Sequence, residues 1–294
     1  MEIGFVGLGR MGANMASRLR EAGHSVVGFD IDPALSDVAS LSRLVEALKP
    51  PRVVWVMLHA SATEDAIESL TALLGIDDIL VDGGNGHYAL DAPRAVRLGK
   101  RGIGYLDVGV SGGIWGNENG YSLMVGGSAE HVQRIMPIFS ALKPDSPLGF
   151  THVGPTGSGH YAKMVHNGIE YGMMQAYAEG YELLSAAGLV PDAPSLIKSW
   201  REGSAIRSWL LDLLDRALDA DPELAKLQGV ADDTGEGRWM VEEGVRLAVP
   251  LPAITASLYA RFSSRQSDAA AMKVVAALRQ QFGGHTVTDA AGAS

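Results

Sequence analysis

The chain reads as an α/β domain built on a doubly wound parallel sheet, residues 1–153, followed by an all-α domain, residues 154–294. Three observations predict this. Short apolar runs alternate with helical patterns through the first half. A glycine-rich turn stands between the first of those runs and the first helix. Beyond about residue 154 strand signals fade and long helical patterns take over.

The elements follow in order. Residues 2–6 are apolar and end in Gly7-Leu8-Gly9-Arg10-Met11-Gly12. A helix is expected from there to about Ala22, with Gly23 as its C-terminal stop. Residues 25–30 read as the second strand, and residues 52–58, 79–82 and 104–108 as further strands separated by helices. Residues 157–187 read as one helix of about 30 residues, roughly 45 Å long at the standard rise. A helix of that length usually crosses a domain or an oligomer interface. Amphipathic segments at 204–220, 239–247, 251–262 and 269–282 complete the helical half, and residues 287–294 read as frayed.

Composition narrows the function classes. With 294 residues and 47% hydrophobic content, the chain can bury a sizeable core. No apolar run reaches the roughly 18 residues of a membrane span, so no membrane partner is expected. The chain opens directly into a strand-like run without a basic leader, so no signal peptide is expected. The absence of cysteine excludes disulfides, thiolate metal sites and a cysteine nucleophile, and fits a cytoplasmic protein. A formal charge of −10 argues against nucleic acid as partner and requires a local basic cluster for any anionic ligand.

The glycine turn has the spacing Gly7-x-Gly9-x-x-Gly12 between strand and helix, which is the dinucleotide fingerprint of a Rossmann-type domain. The first glycine permits the tight turn, the second lets backbone approach a pyrophosphate, and the third lets helix pack on strand. Leu8, Arg10 and Met11 complete the loop, whose helix N-terminus offers N–H groups to phosphate. Asp30 ends the second strand, 18 residues after Gly12. Its carboxylate suits a ribose 2′-OH and repels a 2′-phosphate, and no arginine follows it directly, so NAD is expected over NADP. Leu58 and His59 occupy an equivalent strand end and either line the cofactor pocket or form a plain loop. Asn85 follows Asp82-Gly83-Gly84 at another strand end, where it could touch both nicotinamide and substrate.

A second site lies in the long helix. Lys163, His166, Asn167 and Glu170 stand at i, i+3, i+4 and i+7, so all four point from one face. An amine, an imidazole, an amide and a carboxylate within two turns suit a small polar molecule and proton transfer on it. Ser111-Gly112-Gly113 adds a hydroxyl and closely approachable backbone N–H groups suited to a carboxylate.

On these motifs the chain resembles the decarboxylating 6-phosphogluconate dehydrogenases of the β-hydroxyacid dehydrogenase superfamily. The matching stretches are Gly7 to Met15, Val81-Asp82-Gly83-Gly84-Asn85, Gly109-Val110-Ser111-Gly112-Gly113 and, most specifically, Lys163-Met164-Val165-His166-Asn167-Gly168-Ile169-Glu170-Tyr171. The short length is similar to that of a branch that lacks much of the second helical half and commonly uses NAD. The resemblance implies oxidative decarboxylation of 6-phosphogluconate to ribulose 5-phosphate without a metal. Lys163 is then the general base at the C3 hydroxyl and Glu170 the acid that protonates the enediol. His166 and Asn167 orient the substrate hydroxyls.

The resemblance also implies how the substrate phosphate is held. Tyr171, Arg261 and Arg279 would bind it, and His285 would bind a hydroxyl. Arg279 and His285 belong to a tail, Arg279-x-x-Phe282-Gly283-x-His285, that in the family comes from a neighbouring subunit. A homodimer or homotetramer with exchanged tails is therefore implied; without the resemblance, Arg279 reads as a solvated helix-end charge. One departure stands out. Where the long members carry a basic residue and a threonine, this chain has Thr234 and Glu236, and a carboxylate there would repel phosphate. Two other readings stay open: a non-decarboxylating NAD-dependent 3-hydroxyacid dehydrogenase acting on a small acid, and a catalytically silent dinucleotide-binding protein.

Overall fold

The computed structural model describes residues 1–288. The expected reading of 287–294 as frayed therefore lies outside the described residues from 289 onward. The chain divides into two compact units, Met1–Asn167 and Gly168–Ser294, and the division falls inside the long helix.

The first unit is a seven-stranded sheet. Its strands are β1 (Glu2–Val6), β2 (Ser25–Phe29), β3 (Val53–Val56), β4 (Ile79–Asp82), β5 (Gly104–Ser111), β6 (Ser122–Gly127) and β7 (Phe150–Gly154). They lie in the order β2-β1-β3-β4-β5-β6-β7. The expected runs 2–6 and 79–82 are strands over those residues, and the run 104–108 extends to Ser111. Helices α1 (Arg10–Glu21), α2 (Leu41–Glu46), α3 (Ala60–Leu73), α4 (Asp91–Gly99), α5 (Gly116–Asn119), α6 (Ala129–Arg134) and α7 (Met136–Leu142) connect them. Two apolar clusters form the core. One gathers Phe5, Trp55, Val108 and Phe139; the other gathers Val54, Ile67, Leu80 and Tyr105. Their members alternate along β3, as a strand buried on both faces requires.

One correction concerns the sheet. It is parallel from β2 through β5, but β6 runs antiparallel to β5 and β7 parallel to β6. Neither β6 nor β7 is among the expected strands. Strand β6 carries two glycines and β7 is largely exposed, so neither shows a clean apolar run.

Helix α8 (Ser158–Ala187) spans both units, close to the expected 157–187. The second unit continues with α9 (Ala193–Ser199), α10 (Trp209–Ala220), α11 (Glu236–Leu247), α12 (Pro252–Ser264) and α13 (Ala270–Gly283). Its packed apolar cluster is small, with Ile197, Leu211 and Leu218 at its centre. Helix α13 buries none of its residues. No helix among the described residues is long and apolar enough to cross a membrane.

Candidate active site

The strand order reverses at β1, whose neighbours are β2 on one side and β3 on the other. In open α/β sheets ligands gather at the carboxyl ends of strands beside such a switch point. Three strand ends meet there. A Cβ on Gly7, which sits at φ +94°, would lie 2.4 Å from the Met57 carbonyl oxygen and 2.7 Å from the Leu58 side chain. A Cβ on Gly84 would come within 2.8 Å of the Leu58 carbonyl. A Cβ on Gly12 would sit 1.9 Å from the Gly7 carbonyl, so helix α1 packs onto its strand at a distance only glycine allows. Gly9 differs: nothing stands within 4 Å of where its Cβ would be. That open space, in front of the helix α1 N-terminus, fits a pyrophosphate.

Asp30 closes the other end of this loop. Its Oδ2 accepts from the Leu8 N–H at 2.7 Å and its Oδ1 from the Asp32 N–H at 2.9 Å. A carboxylate oxygen has two lone pairs, so both oxygens retain capacity for a ribose hydroxyl. Arg10 is exposed and Met11 half-buried on the first turn of α1. Leu58 is half-buried against Gly7, whereas the exposed His59 caps helix α3, its Nδ1 accepting from the Ser61 N–H. Asn85 is half-buried on the loop after β4.

The second group of residues is assembled by β5 and the start of α8. Ser111 ends β5, and its hydroxyl lies 3.2 Å from His166 Nε2. His166 Nδ1 lies 3.0 Å from Asn167 Oδ1. An amide oxygen only accepts, so Nδ1 donates to Asn167, and Nε2 shares the second hydrogen bond with Ser111. Gly112 and Gly113 follow at φ +141° and +56°, conformations that favour glycine and turn the chain sharply after the serine. Lys163 stands over Gly109: a Cβ there would come within 2.5 Å of the Lys163 Cβ. The structure thus groups Lys163, His166, Asn167 and Ser111-Gly112-Gly113 within the first unit.

Beneath this lies a buried polar network that the sequence reading did not identify. Asp82, Asp91 and Asp107 are 0% exposed, His160 2% and Arg94 3%. Arg94 bridges Asp82 at 3.0 Å and Glu64 at 2.8 Å, and Tyr105 donates to Asp91 at 2.8 Å. His160 Nδ1 lies 2.9 Å from Asp91 Oδ2. Burial by itself lowers the pKa of His160, but the Asp91 hydrogen bond and the charges of Asp82, Asp91 and Asp107 outweigh it and push it up to about 9. Burial lifts the carboxyls of Asp82 and Asp107 above the usual carboxylate value, against the pull of His160. Asp82, Asp91 and His160 are close enough together to suggest a cation site. Arg94 already pairs with Asp82, and Tyr105 and His160 with Asp91, so both carboxylates have protein partners. The available signal was an aspartate in the middle of an otherwise apolar strand, since a buried carboxylate demands partners.

The second unit holds a separate cluster. Tyr171 is buried, and its hydroxyl accepts from the Thr234 N–H at 3.3 Å. The Arg261 guanidinium lies over the Tyr171 ring, 3.5 Å from its centroid, and donates to the Asp232 carbonyl at 2.8 Å. Glu236 is 1% exposed; its Oε2 accepts from the Thr234 hydroxyl at 2.6 Å and its Oε1 has no hydrogen-bond partner. Glu170 is half-buried on α8. Arg279, on α13, and His285, just beyond it, are exposed, so the second unit does not gather them with Tyr171 and Arg261 into one buried site.

Two family models match the chain. Residues 2–145 match the model of the NAD binding domain of 6-phosphogluconate dehydrogenase, and residues 159–291 that of the 6-phosphogluconate dehydrogenase C-terminal domain. The NAD(+)-dependent, decarboxylating 6-phosphogluconate dehydrogenase of Haloferax volcanii is 40% identical, over 98% of either chain. The 6-phosphogluconate dehydrogenase of Plasmodium falciparum superposes with a TM-score of 0.78 at 25% identity, covering 100% of this chain and 67% of its own. A Mycobacterium tuberculosis 3-hydroxyisobutyrate dehydrogenase shares the fold, with a TM-score of 0.71 at 22% identity over 95% of this chain and 99% of its own.

Proposed function

This chain belongs to the 6-phosphogluconate dehydrogenase family, and on that premise we propose that it converts 6-phosphogluconate and NAD to ribulose 5-phosphate, CO2 and NADH. Residues 1–153 bind the nucleotide and lend Asn85 and the Ser111 loop to the substrate, and residues 154–294 supply the rest of the substrate site and the contacts between subunits. The observation that carries the reading is the tie between Ser111 and His166. It brings a loop suited to a carboxylate onto the helix face that bears Lys163 and Asn167.

The open space at Gly9 and the carboxylate of Asp30 support NAD as the nucleotide. Bound there, NAD would supply the hydride acceptor. Lys163, as the neutral amine, takes the proton of the substrate C3 hydroxyl while C3 loses its hydride. Now an ammonium, Lys163 donates a hydrogen bond to the new C3 ketone. The C1–C2 bond then breaks, CO2 leaves, and the electron pair is delocalised into that ketone as an enediolate held by the Lys163 ammonium. Glu170 protonates the carbon that lost CO2, which becomes C1 of ribulose 5-phosphate. Ser111, Gly112 and Gly113 hold the carboxylate; Asn85, His166 and Asn167 hold the hydroxyls. Tyr171 and Arg261 hold the phosphate, with Arg279 and His285 contributed by a second copy in a homodimer or homotetramer. The unburied apolar side chains of α13 support such an assembly.

Glu236 favours the second reading. A buried carboxylate with a free oxygen two residues from Thr234 accepts a hydroxyl proton more readily than it tolerates phosphate. That reading is a non-decarboxylating dehydrogenase for an unphosphorylated 3-hydroxy acid.

The deciding assay supplies 6-phosphogluconate with NAD or NADP, follows cofactor reduction and traps CO2. Stoichiometric NADH and CO2 are expected. NADH without CO2, or turnover of unphosphorylated acids alone, would move the assignment to the second reading. Glu170→Gln separates the two again: it should lower turnover about 10²-fold if an enediol must be protonated, and leave a plain dehydrogenase nearly intact.

A further inference from the structure

Strand β5 and helix α8 meet in a stepwise register. Asp107, Gly109 and Ser111 alternate along β5 and so share one face. Each meets the helix at a successive point. Asp107 meets Gly159 and His160, Gly109 meets Lys163, and Ser111 meets His166. Two residues of strand advance about 6.6 Å and three to four residues of helix about 5 Å, so the two elements keep step over this short stretch.

Asp107 anchors the first point. Its Oδ1 accepts from the Gly157 N–H at 2.7 Å, and its Oδ2 from the Gly159 and His160 N–H groups at 2.8 and 3.0 Å. These are donors of the first turn of α8 and the residue before it, which have no partner inside the helix. A helix start is normally capped by its own preceding residue; here the cap comes from a strand some 50 residues earlier in the chain. The fit leaves no slack. A Cβ on Gly159 would lie 2.4 Å from the Asp107 carbonyl, and one on Gly126, opposite Asp107 on β6, 2.5 Å from its carboxylate. The Asp91–His160 hydrogen bond secures the same turn from another side.

We propose that Asp107 is the positioning residue of the reaction: by capping α8 from strand β5 it sets where Lys163 and His166 stand relative to Ser111. The proposal rests on the functional reading above, in which Lys163 and His166 act on substrate. A displacement of about 1 Å in such groups costs on the order of 10²-fold in rate.

The test uses the full-length protein with Asp107→Asn, which keeps one acceptor oxygen, and Asp107→Ala, which keeps none. With 6-phosphogluconate and NAD, kcat should fall about tenfold in the first and about 10²-fold in the second, while the Kd for NADH stays within about twofold of wild type. The amides of Gly157, Gly159 and His160 should exchange at least about tenfold faster. The ¹⁵N resonance of His166 Nε2 should move towards its position in Ser111→Ala, the reference for the lost hydrogen bond. A kcat within threefold of wild type in folded Asp107→Asn and Asp107→Ala would overturn the proposal. So would an unchanged His166 resonance in Asp107→Asn, which retains the shape needed to fold. Wild-type protein inactive on 6-phosphogluconate would sink the functional reading alone, because the exchange and resonance measurements need no turnover.

Discussion

The two units solve the problem of holding functional groups in different ways. The first buries most of its large apolar side chains on both faces of a sheet and threads an ionic network through the interior. The second keeps a small apolar cluster and leaves Leu183, Leu189, Val245, Met272, Leu278 and Phe282 exposed. The difference teaches where precision resides. Strand ends backed by a dense core fix backbone amides and a carboxylate in place, because any shift costs packing on both faces. A set of helices with a thin core holds its arginines and tyrosine by local stacking and capping, and the apolar surface it leaves open calls for a partner surface.

The sharpest way to break this contrast is to remove the amine that the first unit places over β5. Lys163→Met should lower kcat/KM about 10³-fold while leaving NADH affinity and the thermal midpoint nearly unchanged. A variant with wild-type turnover would show that the precisely held face is not where the chemistry occurs.

Next in size is the ionic network. His160 has a folded-state pKa of about 9 against 6.5 in the unfolded chain. A raised value means that its protonation favours the folded state, so its contribution is complete below pH 6.5 and is lost as the pH climbs through 9. The shift corresponds to about 3 kcal/mol. Urea unfolding between pH 6 and 10 should therefore show stability declining across that window in wild type, and His160→Gln should flatten the profile. A wild-type profile that stays level from pH 6.5 to 9 would contradict a charged imidazole at this place.

A smaller effect is expected at the exposed helix of the second unit. Leu278→Asp should weaken self-association by about 2 kcal/mol, roughly 30-fold, if α13 meets a second copy. Sedimentation velocity over a concentration series checks this, and an unchanged distribution would mean that α13 is not at the contact.

The mildest change is at Asp30. Asp30→Ala should shift the ratio of kcat/KM for NAD over NADP towards NADP by about tenfold, since a repulsive charge and a ribose hydroxyl acceptor both disappear. Steady-state kinetics with each nucleotide would show it. An unchanged ratio would place the selection elsewhere in the loop.

Legibility from the sequence followed interaction range. The glycine turn, its helix and the acid at the end of β2 were readable because each obeys a local steric or capping rule within about 25 residues. So was the stripe of Lys163, His166, Asn167 and Glu170, which helical periodicity alone aligns. Strand β6 lacks a clean apolar run because Gly126 admits the Asp107 carboxylate and the Gly159 amide while Gly127 admits Leu106, reasons that exist only in three dimensions. Asp107 stands in an otherwise apolar strand, and the reason lies in its three amide partners 50 to 53 residues onward.

Primary structure alone thus settled the order of β1 to β5, the dinucleotide turn and the polar face of α8, since periodicity and backbone sterics act between near neighbours in the chain. Tertiary structure alone decided that β6 runs antiparallel, that a strand carboxylate caps the long helix, and that Ser111 meets His166. Each of those depends on buried groups finding distant partners once water is excluded, and no local pattern encodes which partner that is.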